Sequence, residues 1–190
     1  MAPGRGTNKE SGRDREYLTP SEVEQLIGAA KKRGRHGQRD ALAILMAYRH
    51  GLRVSELVDL RWSQIDWTTT RITIHRLKGS IDGVAHPLGK DEVRALRAIQ
   101  REQPTGTQLI FVGERGGVSA AWFQKLLRRV GEECGLPLVH PHMLRHSAGF
   151  ALADKGRDLR EIQLHLGHKA IQHTTRYVEL RPGRLDRIWD

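Results

Sequence analysis

The chain is poor in cysteine: Cys134 stands alone in 190 residues. No disulfide can close within it and no thiolate cluster can hold zinc; a reducing cytoplasm is the natural compartment for such a chain. No apolar run approaches the roughly 20 residues of a spanning helix, and no N-terminal pattern resembles a secretion signal, so no membrane partner is expected. Internal repeats are absent. Acidic residues are also in deficit, with 22 Asp and Glu against 32 Lys and Arg, a net charge of +10. With a pI near 10.3, that excess suits a polyanionic partner, and nucleic acid is the first candidate. The length allows one sizeable domain with a real core, or one domain and a tail.

Residues 1–16 are rich in Gly, Arg and Asn without an apolar period and are expected to form a disordered basic tail; a frayed end and a DNA-clinging arm explain them equally. Thr19-Pro20-Ser21-Glu22 is a capping box with Pro at the first helical position, and predicts a helix to about Lys32. A second helix is expected from Arg39 to His50, ended by Gly51, and a short one from about Val54 to Leu60. Arg71 to Leu77 alternates with β-branched residues and predicts a strand. Val84 to Leu88 returns as another, and a piece near Gln64–Trp67 would complete a three-stranded antiparallel sheet. Asp91 is expected to cap a helix through Gln100, Leu109 to Val112 to be extended, and Ser119 to cap a helix to about Cys134. Pro141 opens a helix running from His142 to about Lys155. Asp158 starts another to about His165, and a further short helix carries Tyr177. The fold class is mainly α with a small antiparallel sheet.

The 142–155 helix is the centre of the chemistry. His142 and Arg145, three apart, share a face; Gly149 lies on it too and would let a ligand's backbone come close. Leu144, Ala148, Ala151 and Leu152 form the opposite, core-facing stripe. Arg145 and Arg53 both sit among apolar neighbours, where an Arg usually has an anionic partner. For Arg53 that partner is either Glu56, three residues on, or a ligand; two such guanidiniums together suit a phosphate, whose oxygens they bond through paired donors. Lys78 stands at a hairpin turn, His168 follows Leu166-Gly167, and Tyr177 follows nine residues later; each alone is explained as well by a solvated, helix-end or core position. His142 and His146 at i, i+4 lack the Glu of a His-Glu-x-x-His zinc helix, so no metal site is expected.

Gly51-Leu-Arg53-Val-Ser-Glu56-Leu, Leu77-Lys78-Gly79, His142-x-x-Arg145, Leu166-Gly-His168 and Tyr177, in this order, resemble the tyrosine recombinase (phage integrase) family from Tyr17 to the end. The wording around His140–Ser147, Gly149–Ala153 and His173–Tyr177 is most similar to the fimbrial phase-variation recombinases. The resemblance implies the DNA breaking-rejoining fold over residues 17–190, without the N-terminal core-binding domain most members carry. It implies a site-specific recombinase acting on double-stranded DNA as a homo-tetramer on two synapsed sites, with accessory DNA-bending proteins as possible partners, and DNA inversion or integration as the outcome.

In that mechanism Tyr177 attacks a phosphodiester, leaving a 3′-phosphotyrosyl link and a free 5′-hydroxyl, so the ester keeps the bond energy. A free phenol has a pKa of about 10 and needs help losing its proton; His142 is the expected base. Arg53 and Arg145 would stabilise charge on the non-bridging oxygens, Lys78 would protonate the leaving 5′-oxygen, His168 would donate to the phosphate, and Glu56 would orient Arg53. No cofactor and no metal are expected. His146 and His173 receive no role. The Ser119–Cys134 helix, with Gln124, Lys125, Arg128 and Arg129, is a candidate groove element. A type IB topoisomerase-like nicking-closing enzyme would use the same groups without paired sites. A non-catalytic DNA-binding regulator of the same fold would have no need of Tyr177 beside two Arg and two His.

Overall fold

The computed structural model describes residues 16–76, 80–136 and 138–179. Residues 1–15 of the basic tail and Lys78 with its two neighbours lie outside the described residues.

Helix α1 (Pro20–Lys31) starts as its capping box dictates: the Thr19 hydroxyl accepts from the Glu22 amide at 3.3 Å, and Glu22 Oε2 accepts from the Thr19 amide at 2.8 Å. Helix α2 (Gly37–Arg49) is apolar on most sides, and Ala41, Leu42, Ala43, Ile44, Met46 and Ala47 are all buried. It packs on α1, α4 and α6 (ranges below) and is the hub of the larger core. Gly51 follows with φ +56°, a left-handed turn that a Cβ would obstruct, since it would lie 2.4 Å from Leu166. The chain then enters α3 (Val54–Val58).

A 3-10 turn (Trp62–Gln64) leads into a three-stranded antiparallel sheet, β1 (Ile65–Asp66), β2 (Arg71–Ile74) and β3 (Val84–Pro87), in that spatial order. In β2 the alternation places Ile72 and Ile74 inward, and Arg76, two residues further, is inward and buried as well. Helix α4 (Lys90–Glu102) begins two residues earlier than the carboxylate of Asp91 suggests. Gly89 is its N-cap residue, and Glu92 Oε2 accepts from the Gly89 amide at 2.8 Å. Asp91 instead holds Arg49 through two bonds of 2.7 Å. Leu109 bridges to Arg61, and β4 (Val112–Gly113) pairs with β5 (Gly116–Gly117), a two-residue ribbon with no alternation to announce it.

Helix α5 (Ala120–Glu133) is capped by the Ser119 hydroxyl. Helix α6 (Pro141–Asp154) follows, then α7 (Leu159–Leu166), capped by Asp158, and α8 (Gln172–Glu179). Helix α6 buries more than one stripe. Met143, Phe150 and Ala153 are covered along with Leu144 and Ala148, because α2, α5, α7 and α8 surround it. Its far half joins Ile162, Leu166 and Tyr177 in a second small core. The Leu18 amide donates to the Ser147 hydroxyl at 2.7 Å and pins the start of the described chain to α6.

Candidate active site

Arg53 is the N-cap residue of α3, with extended backbone angles. Its amide donates to Glu56 Oε2 at 2.9 Å, and its Nη1 to Glu56 Oε1 at 2.8 Å and to Ser80 Oγ at 3.2 Å. Glu56 is therefore Arg53's partner, as its spacing predicts, but it has a second one. Arg76 Nη1 lies 2.7 Å from Glu56 Oε2. Burial pushes the Glu56 carboxyl up, and the Arg76 charge with the N–H donors of both arginines more than offsets it, so the group sits below the ordinary carboxylate range.

Arg76 is the residue that reading by motif missed. Its Nη1 also donates to the Gly51 carbonyl at 3.2 Å, and its Nη2 to the carbonyls of His50 at 2.9 Å and His165 at 2.6 Å. It ties the ends of α2 and α7 to α3 beneath the site. The one signal in sequence was the strand alternation, which puts residue 76 on the face of Ile72 and Ile74.

Arg145, on α6, is 3% exposed. It donates to the carbonyls of Gly51 and, at 2.7 Å, Leu166. Among the described residues its hydrogen bonds go to carbonyls and to no carboxylate, and Glu56 acts on its charge only from a distance. Burial and the charges of Arg53 and Arg76 push its pKa down to about 10, which leaves it protonated at neutral pH. Such a cation, desolvated and under-neutralised, favours an incoming anion.

His142 is exposed on the first turn of α6, and Arg145 lies one turn in. His168 follows Gly167, the left-handed residue that ends α7. His168 Nδ1 contacts the hydroxyl of buried Thr174 at 2.9 Å, which leaves the other ring nitrogen for the hollow. Burial first, then Arg145, lowers the His168 pKa to about 3, so its ring is neutral.

Tyr177 on α8 is 1% exposed. Phe150 meets its ring edge-on at 5.1 Å and His168 stacks near it at 6.3 Å. Gly149 does not serve a ligand's approach: a Cβ there would stand 2.7 Å from ring carbons of Tyr177, so the glycine makes room for the tyrosine itself. The phenol oxygen is 2.9 Å from Nδ1 of His146, a residue to which the motif reading gave no role. Burial raises the phenol pKa, with Arg145 and Arg176 opposing.

Arg53, His142, Arg145, His168 and Tyr177 line one hollow of about 370 Å³, together with Ser80, His146, Lys169, His173 and Arg176. Five of the six residues singled out for chemistry thus converge; the sixth, Lys78, lies outside the described residues, two positions before the hollow's Ser80. Among the described residues the wall of the hollow carries four arginine and lysine side chains and no carboxylate. Among the described residues no three His, Cys, Asp or Glu side chains gather to hold a metal ion, and no helix is long and apolar enough to cross a membrane.

A sequence model of the phage integrase family matches residues 16–184. The chain belongs to the phage integrase family. It is a site-specific tyrosine recombinase. It is 40% identical over 183 residues to the type 1 fimbriae regulatory protein FimE of Escherichia coli (strain K12), covering 93% of this chain and 91% of that one. FimB of the same strain is 41% identical over 189 residues, covering 96% and 94%. Tyrosine recombinase XerC of Xanthomonas campestris pv. campestris (strain B100) is 36% identical over 157 residues, 81% of this chain but 48% of XerC. Among solved structures, the XerA recombinase superposes with a TM-score of 0.76 at 26% identity, over 91% of this chain and 63% of XerA. The fold is therefore that of tyrosine recombinase catalytic domains, as the sequence motifs imply.

Proposed function

We propose that this recombinase breaks and rejoins double-stranded DNA at a defined site through a 3′-phosphotyrosyl intermediate, residues 17–190 forming the catalytic unit. The observation that supports this reading most is the single basic hollow in which Arg53, Arg145, His142, His168 and Tyr177 meet. A scissile phosphate enters that hollow and is clamped by the guanidiniums of Arg53 and Arg145. Arg145 trades no carboxylate for it, and Arg53 keeps Glu56 and Arg76 behind it as a fixed support. His142 and His168 donate to the non-bridging oxygens. The Tyr177 oxygen attacks phosphorus, the bond to the 5′-oxygen breaks, and Lys78 supplies the proton that the leaving oxygen takes. An imidazole receives the phenol's proton. A second strand's 5′-hydroxyl then reverses the step. Preorganised cations of this kind are worth about 3 kcal/mol each in the transition state.

Four protomers on two synapsed sites supply the four strand cleavages of an exchange, in the cytoplasm, with DNA-bending proteins assisting synapsis. Inversion or integration of a DNA segment is the outcome of such an exchange. The test is a pool of nicked duplexes of randomised sequence, in which cleavage releases a short fragment and traps the intermediate. The native protein gives a covalent adduct on a denaturing gel and Tyr177→Phe gives none while still binding DNA. An adduct that persists in Tyr177→Phe overturns the proposal. Relaxation of supercoiled plasmid without paired sites would assign the topoisomerase-like activity instead.

A further inference from the structure

We infer that His146, not His142, is the imidazole that takes the phenol proton of Tyr177 during attack. The inference rests on the function just proposed and concerns one role within it. His146 Nδ1 is 2.9 Å from the Tyr177 oxygen, within direct transfer distance. His142 sits one helical turn nearer the N-terminus of α6, with its ring centroid 6.0 Å from that of His146, and is exposed where His146 is half-buried. The two histidines therefore divide the hollow: His142 faces the solvent side, where the phosphate enters, and His146 faces the nucleophile.

The surroundings of His146 keep it in the form that can accept a proton. Burial comes first, then the charges of Arg176 and His142, with Glu16 opposing, and they hold the ring pKa down at about 4. The imidazole is neutral at physiological pH, so with its hydrogen on Nε2 it accepts the phenol O–H at Nδ1. Gly149, one turn along the same helix, admits the Tyr177 ring and so fixes the phenol oxygen opposite Nδ1. As the O–P bond forms and the P–O5′ bond breaks, the phenol proton passes to His146 Nδ1, while the 5′-oxygen takes its proton from the acid. In the rejoining step the same N–H returns its proton to the phenol oxygen. Burial raises the phenol pKa, and the charges of Arg145 and Arg176 oppose that rise.

His146→Asn separates holding the hydroxyl from removing its proton, because the Asn carbonyl oxygen can stand near the position of Nδ1 and accept the same bond but cannot be protonated. His146→Gln serves as the second variant should Asn perturb the fold. Single-turnover cleavage is measured on a duplex enriched from the randomised pool, and on the same duplex with a 5′-bridging sulfur, whose thiolate leaves without an acid. Both variants are expected to keep native thermal stability and DNA affinity and to cleave roughly 100-fold more slowly at pH 7 on both substrates. Their rate rises about tenfold per pH unit toward pH 9, as phenol ionises on its own, where the native rate is level. His142→Asn keeps the level profile. A native rate and profile in His146→Asn, or a slope appearing in His142→Asn instead, overturns the inference. Failure of the native protein to form any adduct overturns the proposed function, and this inference with it.

Discussion

The ring of Tyr177 occupies the space that a side chain on Gly149 would fill, with ring carbons 2.7 Å from where a Cβ would stand. A helix-interior glycine ordinarily costs about 0.5–1 kcal/mol relative to alanine, so this one is retained against helical preference. Gly149→Ala gains that propensity and loses the fit. The net outcome expected is a loss of about 1–2 kcal/mol in unfolding free energy and a fall in adduct formation of at least tenfold, with DNA affinity unchanged. Denaturant unfolding and the trapped-substrate assay check the two halves separately.

Arg76 lies beneath the site, and its removal leaves Glu56 buried with Arg53 as its remaining arginine. Breaking a buried ion pair from one side costs about 3–5 kcal/mol, so Arg76→Met is expected to lower the melting temperature by well over 5 °C. Double replacement of Arg76 and Glu56 by Met and Leu recovers part of the stability without recovering cleavage, because Arg53 then loses its support. Calorimetry with the cleavage assay distinguishes these outcomes.

A second buried cluster sets the acid limit of the fold. His50 Nε2 is 3.0 Å from Glu92 Oε1, His50 Nδ1 is 3.2 Å from His86 Nδ1, and the rings of His86 and His165 are 4.3 Å apart. Burial first, then neighbouring positive charge, pushes His86 down to about 2, and burial pushes His165 down to about 4, both from an ordinary value of 6.5. The folded state keeps these rings neutral while the unfolded chain takes up protons below pH 6.5. Stability is therefore whole above that pH and falls as the pH drops from 6.5 toward 4. Melting curves at half-unit intervals check the window, and His86→Leu is expected to flatten it.

Helix α5 presents Lys125 and Arg129 on the rim of a second hollow, about 570 Å³, shared with Arg33, Arg35, His36 and Arg39. Arg39 is already committed to Asp40 and the Val112 carbonyl, and Arg128 to Glu132. Lys125→Ala with Arg129→Ala is expected to weaken DNA binding about tenfold and to lower the slope of log K against log salt by about 2. The melting temperature stays put. Titrations at several salt concentrations measure this.

Much of the scaffold was legible because local chemistry decides it. Thr19 and Glu22 announce α1, Asp158 announces α7, and the alternation of Ile72 and Ile74 announces β2. The five site residues were legible as an ordered set of motifs, though their convergence depends on contacts across 94 residues, such as that of Arg145 with the Gly51 carbonyl. What was not legible is what depends on a partner far away in the chain. Arg76 reads as a strand-end cation until Glu56 faces it. Gly149 reads as an opening for ligand until Tyr177 fills it. His146 reads as a spare histidine until the phenol bonds it. Asp91 reads as a helix cap because nothing nearby in sequence reveals that Arg49 claims it. The pair β4 and β5 leaves no trace, since a two-residue ribbon with three glycines carries no period.

The central claim is that one phenol, set among two arginines and two histidines, becomes bonded to DNA. Peptide mapping of the trapped complex by mass spectrometry tests it most directly. After nuclease and tryptic digestion, the account predicts a 3′-nucleotide attached through phosphate to the peptide that begins at Tyr177, with fragment ions placing the added mass on that residue. A nucleotide found on any other side chain, or an adduct in Tyr177→Phe, contradicts it.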